Sequence, residues 1–135
     1  ATGRQNDRQN RTRHTSTGAI ITYIFRLMNW IILIIAGFFE VAFATCLGKA
    51  RQTSGTESAL WWVGFFVSLS ISMYLLYKAT QTLPIGTAYA VWTGVGAVGT
   101  VLIGIFIFKE PAEGWRLFFL ATLIGSIIGL KFVSH

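Results

Sequence analysis

The sequence predicts an all-α membrane protein of four transmembrane helices, and three observations carry that expectation. Of its 135 residues, 53% are hydrophobic and only 12% charged, against roughly a quarter charged in ordinary soluble domains. A domain this small is mostly surface, so a soluble core cannot absorb the excess of apolar residues. Four apolar runs follow one another, at about 29–47, 59–79, 85–108 and 115–133, each with about the 20 residues that a spanning helix requires. Trp30, Trp61, Trp62 and Trp115 fall at the ends of these runs, where aromatic belts sit at headgroup level. Backbone groups in lipid must bond internally, so runs of this length are helices.

The chain opens differently. Residues 1–17 are polar, rich in Arg, Asn and Thr, and without apolar periodicity, so disorder is expected there. Arg4, Arg8, Arg11 and Arg13 are opposed only by Asp7. Arg-rich, acid-poor segments also have the composition of a targeting presequence. Residues 18–27 are mildly apolar but too short to span, and Met28 opens a self-consistent membrane unit. The expected division is a basic extension over 1–27, disordered or non-native, and a four-helix domain over 28–135.

The first run contains one charge, Glu40. A carboxylate at that depth costs roughly 2.5–3.5 kcal/mol on insertion scales, and residues so placed face a polar cavity that holds an ion, a proton or a substrate. No Lys, Arg or His lies within the apolar part of any run, so a permanent buried ion pair has no partner to form it. Helical spacing puts Leu33, Gly37, Glu40, Phe43, Ala44 and Leu47 on one face, with the small Gly37 and Ala44 leaving space around the carboxylate. In the second run Ser68 and Ser72 share a face. Either hydroxyl is a candidate partner for Glu40, and each has the alternative of bonding its own helix backbone.

The third run holds Tyr89 and Trp92 at i, i+3, with Gly96 continuing their face. A hydroxyl and an indole N–H at this depth need polar partners, and the two rings can bound a cation cavity or simply fill space. Gly94, Gly96 and Gly99 each cost a helix interior about 1 kcal/mol against Ala, which suits either close helix contact or a hinge. The fourth run carries Ala121, Gly125 and Gly129 at four-residue spacing, a small-residue stripe of the kind that associates helices in membranes. A dimer seam is the preferred reading, with intrachain contact as the alternative.

Four spans place both termini and the middle loop on one side. From Met28 on, that side carries Lys78 and Lys131, and the opposite side Lys49, Arg51 and Lys109, with Arg116 near its boundary. So weak a bias barely orients the unit and lets two copies insert oppositely and pair. Arg11, Arg13 and Arg26 pull the other way, toward an N-inside orientation. No constellation for catalysis, cofactor or metal is present. Cys46 is alone, His14 and His135 are terminal, and the Gly94-x-Gly96-x-x-Gly99 pattern lies mid-membrane with no strand before it. A nucleic-acid partner would require a basic patch on a folded module.

Residues 29–41 (NWIILIIAGFFEV), 83–94 (LPIGTAYAVWTG), 108–111 (FKEP) and 125–131 (GSIIGLK) together resemble the small multidrug resistance family of proton-coupled exporters, and 83–94 resembles its guanidinium-exporter branch. The resemblance covers residues 28–135. It implies an antiparallel, dual-topology homodimer in a bacterial inner membrane, with an essential first-helix glutamate shared by proton and cationic substrate. That glutamate is Glu40, with Tyr89 and Trp92 lining the site and Ser72, in ISMYLL (71–76), as the serine bonded to it. Phe43 departs from the branch, which carries Trp there, and the stretch from Ala44 to Lys49 is one residue longer. The implied function is proton-coupled antiport of guanidinium or small guanidinyl cations. The alternatives are a quaternary-ammonium exporter on the same scaffold, or a membrane subunit that uses Glu40 only as an assembly contact.

Overall fold

Each apolar run becomes one helix in the structure, a computed structural model that describes residues 2–133. Ala1, Ser134 and His135, the last two closing the expected membrane unit, lie outside the described residues. The helices are α1 (Thr2–Gln52), α2 (Gly55–Ala79), α3 (Ile85–Phe106) and α4 (Gly114–Val133). All four are long and apolar enough to cross a membrane, and the described residues contain no strand. The protein is a multi-pass integral membrane protein.

Helix α1 is the departure from expectation, because it runs unbroken through the tail for which composition predicts disorder. At 51 residues and about 1.5 Å per residue it reaches about 75 Å, more than twice the roughly 30 Å of a hydrocarbon core. The extra turns are held locally. Thr12, Thr17 and Thr22 each donate to the carbonyl four residues back, and Ser16 to that of Arg13. Every described residue up to Met28 is exposed, so no tertiary contact buries this segment.

From Trp30 onward α1 is the hub. It packs against α2 along most of its length and against α3 through its middle, while α4 packs on α3. Thr53 and Ser54 form the tight α1–α2 link, where Gly55 has φ +65°, a backbone region that favours glycine. Ser58 donates to the Ala50 carbonyl at 3.1 Å and fixes this corner. At the other end Asn29 donates to Thr82 in the α2–α3 turn. The main core lies in that same half, with Trp30, Leu33 and Ala36 of α1, Ala79 and Leu83, and Ala88, Val91 and Trp92 of α3 buried together. Helix α4 buries no residue within the protomer.

Glycines set how closely the helices approach, and each has its own neighbour. A Cβ on Gly37 would meet the Val95 side chain at 2.6 Å, one on Gly94 would meet Ile127 of α4, and one on Gly99 would overlap Val41. Gly37 therefore admits α3 rather than leaving room beside Glu40, because the volume its missing side chain frees is filled by Val95. Gly125 and Gly129 have open space around them, and Ala121 is exposed. The small-residue stripe of α4 points away from the other helices.

Gly99→Val should force α1 and α3 apart at Val41. Overpacking of this kind costs about 1–3 kcal/mol, so thermal unfolding in detergent should show a lowered midpoint. Gly86→Ala, at a position with no neighbour within 4 Å, should cause no loss.

Candidate functional site

The side chain of Glu40 leaves α1 toward α3 and rests on the backbone of Gly96. A Cβ at position 96 would overlap the carboxylate, with the nearest approach at Oε2. That same Oε2 is buried and has no hydrogen-bond partner among the described residues. Buried polar atoms are nearly always paired, and an orphaned acceptor costs about 1–3 kcal/mol, more where the group is charged. The arrangement therefore demands a donor or a proton. Glycine at 96 is what lets an acid sit at this helix contact at all.

One turn earlier lies a buried relay through three helices. The Trp92 indole N–H of α3 donates to Ser72 Oγ of α2 at 2.9 Å. Ser72 Oγ donates in turn to the Ala36 carbonyl of α1 at 2.8 Å. In an α-helix that carbonyl also accepts the backbone N–H four residues on, which here belongs to Glu40. Ser72 is therefore bonded to the peptide group beneath Glu40, not to its carboxylate as the resemblance implies. The physical reason is depth: Ser72 is completely buried between α1 and α2, whereas the carboxylate points to α3. Of the other serines, Ser70 bonds its own helix at Phe66.

The remaining expected residues are spread around this centre. Tyr89 is 56% exposed and Trp92 only 6%, although their rings lie 5.4 Å apart. Trp92 is thus part of the relay, and Tyr89 lies on the outer surface of the helix bundle. Phe43 stands edge-on to Phe65 of α2, at 5.7 Å and 85°, and belongs to an aromatic cluster with Trp62 and Phe66. The Ala36 carbonyl, Val95 and Phe65 carry contacts that the sequence did not single out. No side-chain pattern marks a backbone acceptor, and an apolar residue in an apolar run offers no contrast.

A cleft of about 510 Å³ opens toward the α1–α2 link and the α3–α4 loop, lined by Ala44, Thr45 and Gly48 of α1 and Thr100 and Gly104 of α3, with Glu110 at its rim. Ala44 lies one turn beyond Glu40 and Thr100 one turn beyond Gly96, so the cleft ends about one turn from the carboxylate. At the rim Arg116 pairs with Glu110 at 2.6 Å and donates to the Pro111 carbonyl.

Four apolar helices, with one half-buried carboxylate at the contact of α1 and α3, define a small multi-pass membrane protein. A protein-family model described as Small Multidrug Resistance protein matches residues 28–123, and the chain belongs to that family. Among its relatives, the "Probable guanidinium efflux system subunit GdnD" of Bacillus licheniformis is 42% identical over 107 residues, 79% of this chain and 100% of the relative. The "Guanidinium exporter" of Escherichia coli strain K12 is 45% identical over 108 residues, 80% of this chain and 100% of the relative. The protein of that name in Salmonella typhimurium is 44% identical over the same span.

Ser72→Ala should leave both the Trp92 N–H and one lone pair of the Ala36 carbonyl without their partner. A double-mutant cycle with Trp92→Phe should give a coupling of about 0.5–3 kcal/mol in detergent unfolding. Additive losses would show that the two side chains act independently.

Proposed function

We propose that the protein is a proton-coupled antiporter that exports guanidinium or small guanidinyl cations. The observation that carries this reading is the buried, unpartnered Oε2 of Glu40 between α1 and α3. Guanidinium is planar, stays charged near neutral pH and can donate paired N–H bonds to a carboxylate. It supplies both the charge and the donors that this oxygen lacks. A proton satisfies the same atom, so the two compete, and binding of one drives release of the other. The printed names of the relatives, guanidinium exporters and a guanidinium efflux subunit, support the choice of cargo.

In this reading Glu40 is the shared group, and Trp92 and Ser72 position it through the Ala36 peptide. Residues 28–135 are the transporting unit. A homodimer of oppositely inserted copies joins along Ala121, Gly125 and Gly129, bringing a second Glu40 and covering the exposed Tyr89 so that its ring closes the cavity. Gly94, Gly96 and Gly99 weaken α3 where it touches α4, Glu40 and Val41. A bend there would move all three contacts together, as alternating access requires.

Phe43 favours a second reading, a quaternary-ammonium exporter on the same scaffold. It offers no N–H and lies in an apolar aromatic cluster, and a quaternary ammonium needs no donor or acceptor bonds. Purified protein in liposomes distinguishes the two. An outward proton gradient should drive uptake of guanidinium and not of tetraalkylammonium, and the reverse preference would favour the second reading. Glu40→Gln should insert normally and lose at least 100-fold of the proton-driven flux, on the order of 3 kcal/mol. Flux undiminished in that variant would rule the mechanism out.

A further inference from the structure

A second groove lies at the opposite end of the molecule from the cleft beneath Glu40. It measures about 540 Å³ and runs between the entry of α1 and the end of α4, lined by Arg26, Leu27 and Trp30 on one side and Ile128, Lys131 and Phe132 on the other. Two features of the groove bear on what it could bind. Both of its charges are cations and its lining has no acid, so the positive potential is uncompensated. Its walls are apolar and aromatic, and Lys131 Nζ lies 5.7 Å from the centroid of the Trp30 ring.

The position of the groove decides what would occupy it. Ile20, Ile21, Ile24 and Phe25 precede Arg26 and are exposed, as is Ile31 after it. Arg26 is therefore flanked by exposed apolar side chains, and the long side chains of Arg26 and Lys131 can place their charges at the headgroup level. Basic pockets between transmembrane helices bind anionic headgroups, and a phosphodiester matches a guanidinium through two parallel N–H bonds.

We propose that this groove is a binding site for one anionic phospholipid. Its phosphate lies between Arg26 and Lys131, and an acyl chain runs along Leu27, Trp30 and Ile128. Arg26 and Leu27 precede the 28–123 segment that the family model matches, and Ile128, Lys131 and Phe132 follow it, so the groove lies largely outside that segment. The inference does not rest on the transport reading. It concerns the other end of α1, and it holds or fails whatever Glu40 carries.

Native mass spectrometry of the full chain, released from detergent with phosphatidylglycerol or phosphatidylcholine added, tests it. Phosphatidylglycerol adducts should persist on the wild type at least about tenfold over phosphatidylcholine adducts. The double variant Arg26→Gln/Lys131→Gln should lose that preference. The charge-conserving pair Arg26→Lys/Lys131→Arg should keep it, as should Arg51→Gln at the opposite end of the fold. Millimolar inorganic phosphate should leave the adducts in place. The proposal is overturned if the Gln pair retains phosphatidylglycerol like the wild type, if the two lipids are held equally, or if phosphate alone displaces the lipid.

Discussion

The close approach of α1 and α3 governs this protein, because it brings a carboxylate to rest on a helix backbone. Gly37 lets α3 reach α1, Gly99 accepts Val41, and Gly96 accepts Glu40 itself. A side chain at any of these positions would widen the contact, and at 96 it would take the volume the acid occupies. The orphaned Oε2 follows directly, since the carboxylate is pressed against a surface with no donor to give it. Helix backbone N–H groups are already committed to the ladder, so the need is met by a proton or by a donor from outside these two helices, whether water, a ligand or another chain.

Around that contact the remaining helices divide the work. Helix α2 supplies Ser72, which ties Trp92 to the carbonyl beneath Glu40 and so links the backbone of the acid's helix to α3 independently of the acid. Helix α4 places Ile127 and Leu123 against Gly94, packs Ile127 and Leu130 on the core, and leaves its small-residue stripe free. The two ends of the molecule also differ in chemistry. One carries a cleft of mixed lining that reaches within a turn of Glu40, and the other a cationic groove bordered by apolar surface. Cargo and lipid would thus be handled at separate ends of one 51-residue helix.

The architecture was legible in the sequence for a simple reason. Apolar run length is a one-dimensional signal, and the ends of α2, α3 and α4 fall within a few residues of the runs. Helix α1 was not, because polar composition argues against burial and says nothing against a solvated helix closed by its own hydrogen bonds. The acid was equally conspicuous, as the one charge in the apolar part of any run. Its surroundings were less so. Three glycines in six residues announce close contact but not which helix each one faces, and that differs at every position. Ser72 could be matched to Glu40 by type, yet its hydroxyl goes to a carbonyl, a group that every residue carries and no sequence marks. Phe43 shares a helical face with Glu40 by spacing, but its ring turns to Phe65 and away from the acid's α3 contact.

In the proposed mechanism, proton and cation exchange at the Glu40 carboxylate. Proton release on binding measures this most directly, by isothermal titration of guanidinium into purified protein in buffers of different ionisation enthalpy at a fixed mildly acidic pH. Binding should release protons, guanidinium affinity should fall as pH is lowered, and Glu40→Gln should abolish the release. Guanidinium binding of constant affinity across the pH range, with no proton released, would contradict it.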